Sequence, residues 1–156
     1  MRVAFAALPR LGNVPGNKFL NSGEMDMASI VGTWKLARAT ARDASGNALP
    51  APYGGRALGR VTFTADGRMM SVVCDGRPEL PAGENREYSS YCGNYTFDGS
   101  RLVTRVDAAS DPSRIGSDQV RGVRFEGEHV VLLPPPRRIG GHEEHRELTW
   151  ERIAAE

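Results

Sequence analysis

The stretch Arg60–Val73 reads RVTFTADGRMMSVV, and the fold turns on it. Two runs rich in Val, Thr, Phe and Met flank Ala65-Asp66-Gly67, a pattern that predicts two antiparallel strands joined by a tight turn. Side chains alternate between the faces of a strand, and residues opposed across a hairpin share a face. Phe63 opposite Met69 therefore places Val61, Phe63, Met69, Ser71, Val73 and Asp75 on one side. That side is mostly apolar, so it is assigned to the interior.

The same design recurs downstream. In NYTFDGSRLVTRV (94–106), a two-residue Asp98-Gly99 turn pairs Phe97 with Ser100 and gathers Tyr95, Phe97, Leu102, Thr104 and Val106 on a common face. In QVRGVRFEGEHVVLL (119–133), a turn at Glu126-Gly127 sets Gln119, Arg121, Val123 and Phe125 beside Val130 and Leu132. Flanking these hairpins are a strand over Gly32 to Thr40, with Trp34, Leu36 and Arg38 inward, and a last strand over His145 to Ile153, with Arg146, Leu148, Trp150 and Arg152 inward. About eight strands at such spacing predict an all-β fold, a single antiparallel up-and-down eight-stranded β-barrel. Asp26 caps a short helical turn over Met27 to Ile30 that leads into it. Residues 1–26, with Pro9, Gly12, Pro15 and Gly16 and no apolar periodicity, read as an N-terminal tail, with Met25 and Met27 as alternative starts; residues 27–156 form the barrel domain.

Composition narrows the function classes. The 156 residues suffice for one domain. With 20 basic and 19 acidic side chains the net charge is +1 and the arginines are scattered, so nucleic acid is not an expected partner. No apolar run approaches the roughly 20 residues of a membrane span, and the opening residues lack a leader's apolar stretch and Ala-x-Ala site, so no membrane partner and a cytoplasmic location are expected. Cys74 and Cys92 fit no zinc spacing and are read as free, buried or half-buried thiols, with a single disulfide between neighbouring strands as the alternative. No phosphate-binding loop, dinucleotide fingerprint or nucleophile elbow appears, so no cofactor is expected.

Further residues carry a family resemblance. Ile30-Val31-Gly32-Thr33-Trp34-Lys35-Leu36 resembles the Gly-x-Trp signature that opens lipocalins. Gly59-Arg60-Val61-Thr62-Phe63-Thr64-Ala65-Asp66-Gly67, Tyr91-Cys92-Gly93-Asn94-Tyr95, Gly116-Ser117-Asp118-Gln119-Val120-Arg121 and Leu148-Thr149-Trp150-Glu151-Arg152 are similar to the bacterial lipocalin-like domain family. The likeness spans Ile30 to Ile153. It implies a calycin-type barrel with a ligand cavity, in which a short helix closes one end and the Trp packs against an Arg from a late strand. Cys92 departs from the small polar residue expected at its place. The resemblance names neither ligand nor reaction.

The inward list also carries chemistry. Arg38, Gln119, Arg121 and Arg146, with Ser71, Thr104 and the Tyr95 hydroxyl, face Phe63, Met69, Val73, Phe97 and Val123, a lining suited to a small amphipathic molecule with an anionic oxygen, since arginine presents a rigid fork of donors. The competing structural reading has one of Arg121, Arg146 and Arg152 stacked on Trp34, and a buried arginine paired with Asp75 or Glu147. Trp34 and Trp150 are read as core. The long connection Gly76 to Tyr91 offers a helical turn over Asn85 to Tyr91 across the mouth, with Tyr88 toward the ligand and Tyr91 packed. His142-Glu143-Glu144-His145 lacks the helical spacing of a zinc motif, so no metal is expected; His129 is read as solvated, and His145 as the histidine placed for acid or base work.

Two functions remain open on this reading. One is a binding module for a small hydrophobic or amphipathic organic molecule, as monomer or homodimer. The other is a cofactor-independent enzyme, a cyclase, isomerase, hydratase or lyase, in which Arg121 and Tyr95 stabilise an oxyanion and Asp75 or His145 moves a proton. A cavity carboxylate or histidine bonded to an inward arginine or tyrosine, with a shifted pKa, favours the enzyme; an apolar lining with one structural arginine favours binding.

Overall fold

The computed structural model describes residues 29–155. Ten strands follow in order: β1 (Gly32–Arg42), β2 (Ala48–Leu49), β3 (Ala57–Phe63), β4 (Arg68–Asp75), β5 (Tyr88–Phe97), β6 (Arg101–Ala109), β7 (Asp118–Glu126), β8 (His129–Leu133), β9 (Arg137–Ile139) and β10 (His142–Ala154). Short 3-10 turns lie at Tyr53–Gly55 and Pro112–Arg114. Strands β1, β3, β4, β5, β6, β7, β8 and β10 pair antiparallel in that order, and β1 returns to β10 to close an eight-stranded barrel. Closure leaves none of the eight with an unpaired edge. The tail and the first half of the helical turn at Met27 to Ile30 fall outside the described residues; Ser29 and Ile30 are in no helix.

The first hairpin pairs as the sequence predicts; the third keeps its predicted face, but its turn lies at Gly127-Glu128, one residue past Glu126-Gly127. Phe63 opposes Met69, and Val61, Phe63, Met69, Ser71, Val73 and Asp75 are all buried. Phe125 opposes Val130 and Val123 opposes Leu132. The second hairpin corrects the turn: Phe97 pairs with Leu102, not Ser100. The Asp98 carboxylate accepts the Ser100 and Arg101 backbone N–H groups at 2.9 and 2.7 Å, and this local ring moves the turn one residue onward. The pairing moves by two, so the assigned faces survive.

Arg38 is the second correction. The β1–β10 register runs Leu36 to Trp150 and then Arg38 to Thr149, so Ala37 is an extra residue. A bulge of this kind bends the strand and reverses its alternation. Beyond it Ala39 and Ala41 turn inward and Arg38 lies exposed on the outside. A third correction concerns the mouth: Tyr88 to Tyr91 open β5 in place of the helical turn.

One end of the barrel is filled. Ile30, Trp34, Phe63, Tyr95, Phe97 and Phe125 pack there, with Phe63 edge-on to Tyr95 at 5.1 Å and Phe97 to Phe125 at 6.3 Å. Of the three arginines weighed against Trp34, it is Arg152 that covers its ring, at 4.3 Å, while donating to the carbonyls of Val31 and Ser29. The Trp34 indole N–H reaches the Ile30 carbonyl at 2.9 Å. Midway up the barrel, Gly59 makes room for Trp150. A Cβ there would come within 2.9 Å of the Leu36 Cβ and 3.1 Å of the Trp150 ring.

The outer face carries both cysteines, Cys74 and Cys92, as free thiols. Among the described residues no helix is long and apolar enough to cross a membrane.

Candidate functional site

The opposite end of the barrel is hollow. A cavity of about 290 Å³ opens between the end of β4, the start of β5, the start of β7, the end of β8 and the start of β10. Alternation brings Ser71 and Val73, Ser89 and Tyr91, Arg121, Leu132, and Glu144, Arg146, Leu148 and Trp150 into its wall. The rest come from Tyr53 and Arg114 of the two 3-10 turns, Glu87 of the long β4–β5 loop, Tyr88 at the start of β5, Pro134 and Pro135 after β8, and Arg137 of β9.

One half of the wall is electrically satisfied. Arg146 donates from Nη1 to Glu87 Oε1 and from Nε to Glu144 Oε1, both at 2.6 Å, and Arg137 Nε reaches the same Glu144 oxygen at 2.7 Å. Burial opposes the charge on Arg146, but its bonds to Glu87 and Glu144 outweigh it and keep the guanidinium protonated. Burial likewise works against an ionised Glu144, yet the Arg137 and Arg146 donors hold its carboxyl below the usual carboxylate range. Glu87 also accepts the Tyr53 backbone N–H at 2.9 Å, and the Arg146 guanidinium lies 5.5 Å from the Tyr53 ring centre. Tyr53 sits in the left-handed region at φ 55°, a conformation uncommon for a side chain of that size. Burial first, and the Glu87 charge second, push its phenol above the ordinary tyrosine value.

The other half is open to a partner. Arg121 and Arg114 flank the Tyr91 ring, their guanidinium carbons 5.9 and 5.8 Å from its centre. Arg121 donates to the Val120 carbonyl at 2.7 Å and Arg114 to the Ser89 hydroxyl at 3.0 Å. Neither forms an ion pair with a carboxylate among the described residues. Below them Trp150 is buried to 2%, and its indole nitrogen finds no acceptor among the described residues. An unmet buried donor costs about 1–3 kcal/mol.

Of the residues singled out in the sequence, the structure gathers Ser71, Val73, Tyr88, Arg121 and Arg146 around this cavity. Trp150, read as core, is both core and cavity wall. Phe63, Met69, Phe97 and Val123 belong instead to the packed interior, and the Tyr95 hydroxyl is engaged by the Thr64 carbonyl at 2.8 Å. Thr104 is buried to 1% with its hydroxyl unpartnered among the described residues. Gln119 is half-buried and donates to Ser117 Oγ at 3.1 Å, off the cavity wall. Arg38 is outside for the reason given.

The two proposed proton carriers are placed elsewhere. His145 is exposed, bonded to Glu143 at 2.6 Å on the outer face, because Glu144 and Arg146 take the inward positions on either side of it. Asp75 is buried at the rim, where the Arg77 guanidinium and backbone grip both carboxylate oxygens and hold it below the usual range. Glu147 pairs with Arg124, not with a buried arginine.

Sequence reasoning missed Tyr53, Arg114 and Pro134 as lining residues. Glu144 was within reach, since it lies two positions before Arg146 on the same strand face.

A family model described as a lipocalin-like domain matches residues 31–153. No curated protein and no solved structure matches the chain.

Proposed function

The chain belongs to the lipocalin-like domain family, and from that premise we propose that it is a binding protein that holds a small amphipathic organic anion in the open end of its barrel. The observation that carries this reading is the pairing of Arg121 and Arg114, two guanidinium groups at the cavity wall that form no ion pair with a carboxylate among the described residues. Arginine presents planar donors that match a carboxylate or enolate, and a partly enclosed site strengthens the contact over one in bulk water. Val73, Leu132, Leu148 and Trp150 supply apolar wall for the body of the molecule. At about 290 Å³ the space lies just below the roughly 300–1,000 Å³ typical of ligand sites, so the guest is small.

The enzymatic alternative meets its stated criterion in form, since Glu144 bonds to inward arginines and its pKa is shifted. The shift, however, runs downward, which makes the carboxylate a weaker base, whereas a general base works best with a pKa near the operating pH. Binding is therefore the reading the site supports best.

Native mass spectrometry of freshly purified protein tests it. A bound small molecule is expected, and Arg121→Met is expected to lower its occupancy several-fold while leaving the fold intact. Unchanged occupancy in the variant removes Arg121 as the anchor.

A further inference from the structure

Four arginines and two glutamates line the cavity, in a chain whose overall net charge is only +1. The two glutamates are not shared evenly. Glu87 and Glu144 are both engaged by Arg146, and Arg137 joins them at 2.7 Å from Glu144 and 3.8 Å from Glu87. That half of the wall is neutral. The surplus lies on the other half, on Arg114 and Arg121, each of which gives one side-chain hydrogen bond, to a neutral oxygen, Ser89 Oγ or the Val120 carbonyl. An arginine carries five N–H donors, so both retain donors for a guest.

The two groups reach the site from independent parts of the chain. Arg121 is an inward residue of β7, fixed by strand alternation. Arg114 closes the 3-10 turn Pro112–Arg114, whose start is capped by the Asp111 side chain accepting the Ser113 N–H at 3.0 Å. The turn delivers a second cation to the same Tyr91 ring that the first one meets. On the opposite side of the wall Arg137 and Arg146 are matched by two carboxylates, Glu87 and Glu144.

From this we infer that the preferred guest carries two negative charges, one for each guanidinium without an ion-pair partner among the described residues, on a body no larger than a substituted benzene ring. The inference rests on the binding reading above and sharpens it from an anion to a dianion. Two chemistries deliver it: a pair of carboxylates on one short skeleton, or a single phosphomonoester head, which holds close to two charges at neutral pH.

Isothermal titration calorimetry at pH 7.5 with three probes tests it: 3-phenylpropionate with one charge, phenylsuccinate with two carboxylates, and phenyl phosphate with one dianionic head. At least one dianion is expected to bind about tenfold more tightly than 3-phenylpropionate, and which one does so tells the two chemistries apart. Arg114→Gln is expected to bring that dianion to within about twofold of 3-phenylpropionate. Arg38→Gln, which removes a charge from the outer face, is expected to leave the preference in place and so controls for net charge. Dianions that bind no better than 3-phenylpropionate, or a preference that survives Arg114→Gln, overturn the inference while leaving the anion reading standing. Failure of all three probes to bind overturns both.

Discussion

Trp34 and Trp150 stand in the same barrel, point to the same interior and are buried to 1% and 2%, yet their surroundings are opposites. Trp34 has its indole N–H on the Ile30 carbonyl, an arginine over its ring and a layer of aromatic rings around it. Trp150 has an indole N–H without an acceptor among the described residues and a cavity beside it. The contrast extends to the arginines. Arg152 at the filled end is spent on two backbone carbonyls and a ring, whereas Arg121 at the hollow end retains donors and lines the cavity. One end is built for stability and the other gives some of it up, the pattern expected where unmet polar groups are kept for a partner.

Mutations can break this contrast in order of expected size. Trp34→Phe removes a satisfied donor and part of the ring under Arg152, and should cost about 2–4 kcal/mol in urea unfolding. A cost under about 1 kcal/mol would mean the filled end is not where the stability lies. Gly59→Ala forces a methyl group against Leu36 and Trp150, and about 1–3 kcal/mol is expected from overpacking; a neutral result would show that the hollow end yields freely around Trp150. Trp150→Phe deletes a donor without an acceptor among the described residues, so about 1 kcal/mol is expected, well below the Trp34 change. Equal losses at the two tryptophans would erase the distinction between the ends.

The smallest effect concerns acid. The Glu144 carboxyl titrates below its ordinary 4.5 in the folded protein. A depressed pKa contributes stability that is present above the unfolded value, near pH 4.5, and lost as pH falls through the folded one. Glu144→Gln should therefore flatten part of the stability loss on the acid side of pH 4.5, read from urea midpoints at successive pH values. An identical acid limb in the variant would mean that the Arg137–Glu144–Arg146 contact adds nothing to folding.

Much of this architecture can be read from the residues, and the failures have physical causes. The hairpin faces survived even a misplaced turn at Asp98, because sliding a two-residue turn by one position moves the pairing by two and preserves parity. Arg38 was lost to the Ala37 bulge, since an inserted residue leaves no trace in the apolar pattern. The site was harder. Alternation tells which side chains face inward but not how far along the axis they lie, so Phe63, Met69 and Phe97 from the filled end were grouped with Arg121 and Arg146 from the hollow one. Tyr53 and Arg114 come from turns, where no periodicity operates. The Trp34–Arg152 stack, by contrast, was legible as one of three arginine choices set by the Gly-x-Trp signature.

The division of the barrel into a filled end and a receiving end is tested most directly by backbone amide NMR of the 15N-labelled protein titrated with 3-phenylpropionate. The account predicts saturable shifts at Ser71, Val73, Tyr91, Arg121 and Leu148, with Phe63, Tyr95, Phe97 and Phe125 unmoved. Shifts centred on the aromatic layer around Trp34, with the Arg121 side silent, would contradict it.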